Sequence, residues 1–407
     1  MALEEEAPPA SADYGPWEDA IHELAAFDRP SASEGERRAA EWIAARLREL
    51  GCQVQIEEES AHGGYWWPLG LANLLGAAGA LTVLRGRGRL RRAAGALAAG
   101  VAAAAVWDDV GGGRLWFRRA LLPHRSTWNV VAETGDRSAE RTLVLLAHHD
   151  AAHSGLVFHP GLGQIGPRLA PEAHERSSHT FPIMYLVWGG PVLALAGALL
   201  SSRRVAAAGL AFGLGTAATM ADIGARAVVP GANDNLSAVG ILLALAHALH
   251  ERPVQGLRVL LVSTGSEESF MEGMQGFARR HFPELDAAQT EMLCLECLGG
   301  PHLIVLEGEG MLRMRDYTGE LREALASAAE GAEISIGRGI RTVAATDGLI
   351  ALRAGYPVAT LASVTDAKLP LNYHWPSDAP SALHWETIRQ AIAVCERFLR
   401  GRAKLGA

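Results

Sequence analysis

The sequence predicts an α/β domain, with a mixed and mostly parallel sheet sandwiched by helices, into which two pairs of hydrophobic helices are inserted. Three observations predict it. From Val228 onward, apolar strand-length runs alternate with helix-length runs, the pattern of a sheet covered by helices. Ionisable residues collect where those strand runs end, and open α/β sheets build their sites there. Two stretches of different texture, about residues 60–125 and 154–227, each hold two long uncharged runs around an arginine-bearing turn.

The first element expected is a helix after Ser33. Ser33 and Glu36 have capping-box spacing, Ile43, Leu47 and Leu50 repeat on one face, and Gly51 ends it. A strand follows from Cys52 to Glu57, alternating at Val54 and Ile56. Trp66 to Leu84 is then 19 uncharged residues, Arg85 to Arg92 carries five arginines, and Ala93 to Trp107 is another 15 uncharged residues. This is a hydrophobic hairpin with a basic tip. Two strands come next, Trp128 to Ala132 and Thr142 to Ala147, apolar enough to read as buried strands of the parallel type. The hairpin design then recurs, with 20 uncharged residues from Phe181 to Leu200, Ser201-Ser202-Arg203-Arg204, and 17 from Val205 to Ala221.

The remaining elements alternate: helix Leu236–His250, strand Leu257–Ser263, helix Gly273–Arg280, strand Glu291–Leu298, helix Gly319–Ala329, strand Val358–Leu361 and helix Trp385–Leu399. Residues 1–59, 126–153 and 228–407 therefore form one discontinuous catalytic domain. Residues 60–125 are the first hairpin insertion, and 154–227 are a loop plus the second.

Composition narrows the function. The 407 residues are 49% hydrophobic and 20% charged, so the chain folds. Against 45 Asp and Glu stand 37 Lys and Arg, a net charge of −8, which excludes a nucleic-acid partner held by a phosphate-neutralising surface. The four cysteines are too scattered for a disulfide scaffold. Cys294 and Cys297 lie in an apolar strand and read as reduced core thiols. Met1–Glu6 is acidic and leads into Pro and Ser, so no cleavable signal peptide is expected.

Chemistry gathers at the strand ends. The Thr142–Ala147 run leads into His148-His149-Asp150, where alternation puts His148 and Asp150 on one side and His149 on the other. His148 could hold a metal, with Asp150 orienting its ring. Asn233-Asp234-Asn235 precedes an apolar helix, and its ordinary reading is a capped N-terminus. Gly265-Ser266-Glu267-Glu268 places adjacent carboxylates at the end of a buried strand, which repel unless a cation lies between them. Glu296 sits deep in apolar sequence and needs a partner or a metal. His374 follows in Tyr373-His374-Trp375-Pro376-Ser377-Asp378. Each has an ordinary reading singly. In order, and all at strand ends, they point to a metal cluster.

Those blocks resemble the five metal-site blocks of the di-zinc aminopeptidases typified by secreted bacterial leucine aminopeptidases, a family with glutamate carboxypeptidase and glutaminyl cyclase relatives. Thr346-Asp347-Gly348 resembles a later block of the same family. The resemblance spans the α/β text and neither hairpin. It implies two Zn2+ per chain, one held by His148 and Glu296, a second by Glu268 and His374, with Asp234 bridging both. It also implies Glu267 as general base, Asp150 as the group orienting His148, and a cis Asp234-Asn235 peptide. The substrate would be a peptide, cleaved at its N-terminal residue. Tyr373 could donate to the oxyanion. Position 296 is Glu where the family more often has Asp, and Gly348 stands where a His is common. Two other functions stay open: an inactive peptidase-like membrane receptor or scaffold, and a single-zinc acyltransferase of the glutaminyl cyclase kind.

The hairpin segments approach the roughly 20 apolar residues that a bilayer span needs. Trp66, Trp67, Trp107, Tyr185 and Trp188 sit near segment ends, as interfacial anchors do. The expected partner is a lipid bilayer, with the basic tips cytoplasmic and the catalytic domain outside. Arg114, Arg118 and Arg119 flank the other end. The alternative is a soluble homo-oligomer joined through the hairpins. Each hairpin leaves the α/β text close to a site residue, so the four helices should lie beneath or beside the active site, with apolar N-terminal residues preferred. His153, His159, His174 and His179 are expected as exposed or lid residues, and His384 at the surface.

Overall fold

The computed structural model describes residues 14–86, 88–180 and 182–405. Met1–Glu6, with its acidic character, Arg87 of the first basic tip and Phe181 at the start of the second hairpin lie outside the described residues. In chain order the main helices are α1 (Trp17–Ala25), α2 (Glu34–Glu49), α3 (Trp66–Arg85), α4 (Arg89–Val110), α5 (Trp116–Leu121), α6 (Ile183–Leu199), α7 (Arg203–Ala225), α8 (Ser237–Glu251), α9 (Glu272–His281), α10 (Gly319–Gly331), α11 (Gly348–Ala354) and α12 (Trp385–Lys404). The main strands are β1 (Gln53–Ala61), β2 (Arg125–Gly135), β3 (Thr142–His148), β4 (Arg258–Thr264), β5 (Thr290–Glu296) and β6 (His302–Val305). After them come the short β7 (Gly308–Glu309), β8 (Arg315–Asp316) and β9 (Arg341–Thr342), and finally β10 (Val358–Val364).

Seven strands form one mixed sheet in the order β1-β2-β4-β3-β5-β10-β6. The four central strands β4, β3, β5 and β10 run parallel. Antiparallel pairings are confined to the edges, between β1 and β2, β2 and β4, and β10 and β6. The parallel expectation for Trp128–Ala132 is therefore wrong, since β2 is antiparallel to both neighbours. Its apolar run reflects burial under helices, which direction does not alter. β1 also extends to Ala61, past the Glu57 expected, because β2 pairs with it along its whole length.

The apolar runs of the central strands reflect two buried faces. Leu143, Leu145 and Ala147 point to one core, and Val144 and Leu146 to the other. On the first face pack α1, α2, α8, α10 and α12. On the second pack α9, α11 and the foot of a helical bundle. Ser33 caps α2, accepting from Glu36 N at 3.2 Å. The expected reciprocal half of the capping box is displaced, because the Glu36 carboxylate accepts from Ala32 N instead, at 2.8 Å.

The two hairpins pack on each other as one four-helix bundle of α3, α4, α6 and α7. Small residues let the backbones close: a Cβ at Gly209 would lie 2.4 Å from Ala194 N, and one at Gly79 would lie 2.6 Å from the Gly95 carbonyl oxygen. At the far end the two tips meet, where Arg92 donates to the Ser201 hydroxyl. Helices α3, α4 and α7 are long and apolar enough to cross a membrane by length and composition, whereas α6, with 17 residues, is shorter. The 20-residue stretch Ala232–Glu251 has the same composition but is 94% buried within the domain, as a core helix is.

Candidate metal centre

Every residue proposed for the site comes from the carboxyl edge of the parallel strands or from a loop beside it. His148 is the last residue of β3, and Glu296 the last of β5. Glu267 and Glu268 follow β4, Asp234 lies in the turn that opens α8, and His374 is in the loop after β10. Ser266, Cys297 and His374 all have φ near +50°, a left-handed conformation that non-glycine residues adopt at a cost of roughly 1–3 kcal/mol each. These bends turn the chain at or beside a proposed ligand. The Asp234-Asn235 peptide is cis, as expected.

The candidate ligand atoms form two triads that share one residue. His148, Asp234 and Glu296 make one, and Asp234, Glu268 and His374 the other, with the donor atoms of each within 4.8 Å of one another. Asp234 faces both ways: Oδ1 is 3.2 Å from His148 Nε2, and Oδ2 is 3.2 Å from His374 Nε2. Glu268 Oε2 lies 3.1 Å from His374 Nε2, and Glu296 Oε1 lies 3.7 Å from His148 Nε2. Glu267 approaches from the side, its Oε2 3.9 Å from His148 Nε2.

These residues fit divalent cations. His148 Nε2, Asp234 Oδ2 and Glu268 Oε1 are buried and make no hydrogen bond, which a buried polar atom rarely tolerates. The donor set of two imidazoles and several carboxylates suits zinc. Charge points the same way. Burial pushes the Glu268 carboxyl up to about 7 and raises Glu296, more than the neighbouring histidines lower them. Burial alone would lower both imidazoles, yet hydrogen bonds and charge from the surrounding carboxylates raise His148 well above its usual value and His374 to about 10. The cluster thus draws in protons that a cation would displace.

Asp150 does more than face His148. Its Oδ1 is 3.4 Å from His148 Nδ1, and the Asp150 carbonyl lies 3.2 Å from the same nitrogen. The carboxylate also accepts from Glu267 N at 3.0 Å, Glu268 N at 3.2 Å and the Ser31 hydroxyl at 2.7 Å. One side chain therefore fixes both the ring and the Glu267-Glu268 loop. His149 turns away, its Nδ1 2.9 Å from the Ser263 hydroxyl. Tyr373 stacks on the His374 ring, with centroids 3.8 Å apart and planes 23° apart.

Several supporting residues carried no signal in the sequence. Asp378, quoted only as the end of the His374 block, accepts from Asn233 N at 2.7 Å and Asp234 N at 3.1 Å. Asn235 joins this turn to β5, donating to the Leu295 carbonyl and accepting from Cys297 N, both at 2.9 Å. Arg29 is fully buried and donates to the carbonyls of His149 and Gly231 at 2.8 and 2.9 Å. Glu36 accepts from Ser266 N at 3.0 Å and from the Thr127 hydroxyl at 2.6 Å. Phe158 sets its ring edge-on to His374, with centroids 4.6 Å apart.

The remaining histidines are not ligands of these triads. His153 is half-buried beside the Trp66 ring, with Nδ1 2.8 Å from the Arg226 carbonyl. His159 packs on Trp375, and His174 Nε2 lies 3.1 Å from the Asp366 carbonyl. His179 Nδ1 lies 3.0 Å from the Ser178 hydroxyl, and His384 is exposed. The four cysteines are buried and unpaired, as expected for Cys294 and Cys297.

A mixed sheet carrying such paired triads at its strand ends belongs to the zinc-exopeptidase class of folds. Residues 217–399 match Peptidase family M28, so this part of the chain is of metallopeptidase type and the resemblance in its motifs holds. The chain superimposes on a zinc aminopeptidase from Bacillus subtilis with TM-score 0.54 and 14% identity, over 95% of this chain and 94% of that one. A Zn-dependent exopeptidase from Parabacteroides distasonis gives TM-score 0.54 and 13% identity, over 97% of this chain and 100% of that one. A Bacteroides thetaiotaomicron glutaminyl cyclase bound to N-acetylhistamine gives TM-score 0.55 and 12% identity, over 95% and 97%. Among curated proteins no sequence matches.

Proposed function

We infer that this chain is a di-zinc aminopeptidase that removes N-terminal residues from peptides at a membrane surface. The observation that carries the two-metal reading is Asp234, whose two carboxylate oxygens each face a different histidine at 3.2 Å. A carboxylate so placed could bridge a metal pair, and metal stoichiometry separates this reading from a single-metal centre that uses Asp234, Glu268 and His374 alone.

Bound zinc would lower the pKa of a water molecule toward ~7 and polarise the scissile carbonyl. The rest falls to the chain's own groups. Glu267 stands beside the first triad, with backbone N–H held by Asp150. Burial, and then the Glu268 charge, push its carboxyl well above the usual range despite the opposing His148. Ionised beside bound cations, a carboxylate so held would take a proton from the water and return it to the leaving amine. Tyr373 keeps its phenolic proton, because burial and then the charges of Asp234 and Glu268 raise it. It would donate to the oxygen that gains charge in the transition state.

The membrane part of the reading rests on the bundle surface. Leu71, Leu97, Leu199, Phe212 and Leu214 are exposed on it, 44–71% of each residue. Exposed apolar side chains of this kind fit lipid or a partner subunit. Arg89, Arg91, Arg92, Arg203 and Arg204 lie at or near the far tip. At the other end Arg118 is fully buried against Asp109 and leaves the flanking charge. The difference favours a cytoplasmic tip and an extracytoplasmic catalytic domain.

Metal analysis of the purified protein, combined with aminoacyl anilides and a peptide bearing N-terminal Gln, tests the enzymatic reading. Two zinc ions and release of free amino acids are expected. One zinc with release of ammonia from the Gln peptide would make the protein a cyclase, and metal-replete protein inert toward both would make it a receptor or scaffold.

A further inference from the structure

A cavity of about 160 Å3 lies beside the second triad. Glu268, Ser31 and Ala152 form the wall toward the site, while Tyr65, Trp66 and Leu122 at the foot of the first hairpin form the opposite wall. The lining is mixed, with Tyr65, Trp66 and Leu122 supplying apolar surface and His62, Arg125 and His153 polar groups, in a volume near the ~150 Å3 at which a wholly apolar cavity accepts a benzene ring. The wall is rigid. Tyr65 packs its ring 4.9 Å from Phe270, and Trp66 packs 4.5 Å from His153. Two consecutive glycines with positive φ, Gly63 and Gly64, make the bend that aims these rings. The bend is held from the start of α9, because Glu272 accepts from His62 N at 3.0 Å and from Gly63 N at 2.9 Å.

We propose that this cavity is a specificity pocket, built by the hairpin insertion, that takes one aromatic or branched aliphatic group of the substrate adjoining the scissile bond. The proposal rests on the exopeptidase reading and adds to it the class of side chain and the residues that select it. A metal ligand forms part of the wall, so a group seated there lies within one residue of the reacting carbonyl. The opposite wall comes from a segment outside the α/β domain, so the pocket's size is set by the insertion and not by the sheet.

Two opposite changes test it with the zinc-loaded, full-length protein. Leu122→Trp narrows the cavity and Trp66→Ala widens it. Rates are measured on aminoacyl anilides bearing Ala, Leu, Phe or naphthylalanine, and on Leu-X dipeptides with the same residues at X. On one side of the scissile bond, Leu122→Trp should lower the Phe-to-Ala ratio of kcat/KM on the order of tenfold, the scale of hydrophobic-pocket discrimination. On that same side Trp66→Ala should raise the naphthylalanine-to-Leu ratio. Ratios cancel any general loss of folded enzyme. The pocket is excluded if both variants scale every substrate by one factor, or if their effects run the same way in size. A wild-type protein that cleaves no peptide in the panel overturns the exopeptidase reading itself, and the pocket with it.

Discussion

Arg118 Nη1 donates to the Ser269 carbonyl across 2.6 Å, one residue beyond the proposed ligand Glu268. Arg118 belongs to α5, directly after the first hairpin, and is fully buried. Its guanidinium also donates to Asp109 at the end of α4, at 3.1 Å from Nε, and lies 3.4 Å from Glu272. One side chain therefore ties the foot of the bundle to the loop carrying the proposed base. Removing one member of a buried ionic set leaves the others unpaired, at a cost of about 3–5 kcal/mol. Arg118→Ala should lower the thermal midpoint of the detergent-purified protein sharply, and Arg118→Lys should recover only part, since Lys lacks the planar fork. A midpoint unchanged in Arg118→Ala would show that the tether contributes nothing to the fold.

Glu267→Gln should abolish peptide hydrolysis while metal content stays near wild type. The amide keeps the shape of the side chain but cannot accept the water proton. The competing arrangement is visible in the structure, because His148, Glu267 and Glu268 also bring donor atoms within 4.8 Å of one another. If metal is lost together with activity, Glu267 is a ligand and the base lies elsewhere.

Asp234→Ala should lose both metals, since its two oxygens serve both triads. Equilibrium dialysis against zinc reads this directly. One full equivalent retained per chain would mean that the bridge is not required and that one site stands alone.

Three of the proposed ligand positions were legible because they obey a local rule: apolar strand, then metal-binding side chain, at β3, β4 and β5. The residues that hold them were not, because their partners lie far away in sequence or are backbone atoms. Glu36 meets Ser266 across 230 positions. Arg29 is satisfied by main-chain carbonyls, which leave no side-chain pattern to read. The direction of β2 was hidden for a related reason, since its antiparallel partner β1 is separated from it by the whole first hairpin and no tight turn joins them. Phe158 reads as an ordinary loop aromatic until the fold lays it against His374.

Glu309 supplies a pH dependence outside the proposed ligand set. It is fully buried in β7 and accepts from Thr346 N at 2.6 Å. Burial raises its carboxyl to about 8, more than hydrogen bonds from Tyr317 and Thr346 lower it. Between the ordinary carboxyl value and about 8, the folded chain keeps a proton that the unfolded chain releases. The stability this group contributes is therefore complete below its unfolded pKa and is lost as pH rises through about 8. Glu309→Gln should flatten that decline: its thermal midpoint, relative to wild type, should rise from pH 6 to pH 9. A difference that stays constant over this range would mean that Glu309 is already ionised in the folded protein.

The bundle decides where the protein resides. Its helices bury their small residues against one another, as at Gly209 and Gly79, and turn leucines and Phe212 outward. In water each such exposed side chain forgoes ~25 cal/mol for every Å2 of apolar area, and lipid removes that penalty without asking the tip arginines to leave the interface. The full-length protein should therefore sediment with membranes and need detergent for extraction. Because the native cysteines are buried, Arg89→Cys places a single accessible thiol at the tip. A membrane-impermeant maleimide should label it in inverted vesicles and not in intact cells. Labelling of intact cells alone would reverse the orientation. Recovery of monodisperse protein without detergent, with these helices at a subunit interface, would make the hairpins oligomerisation arms.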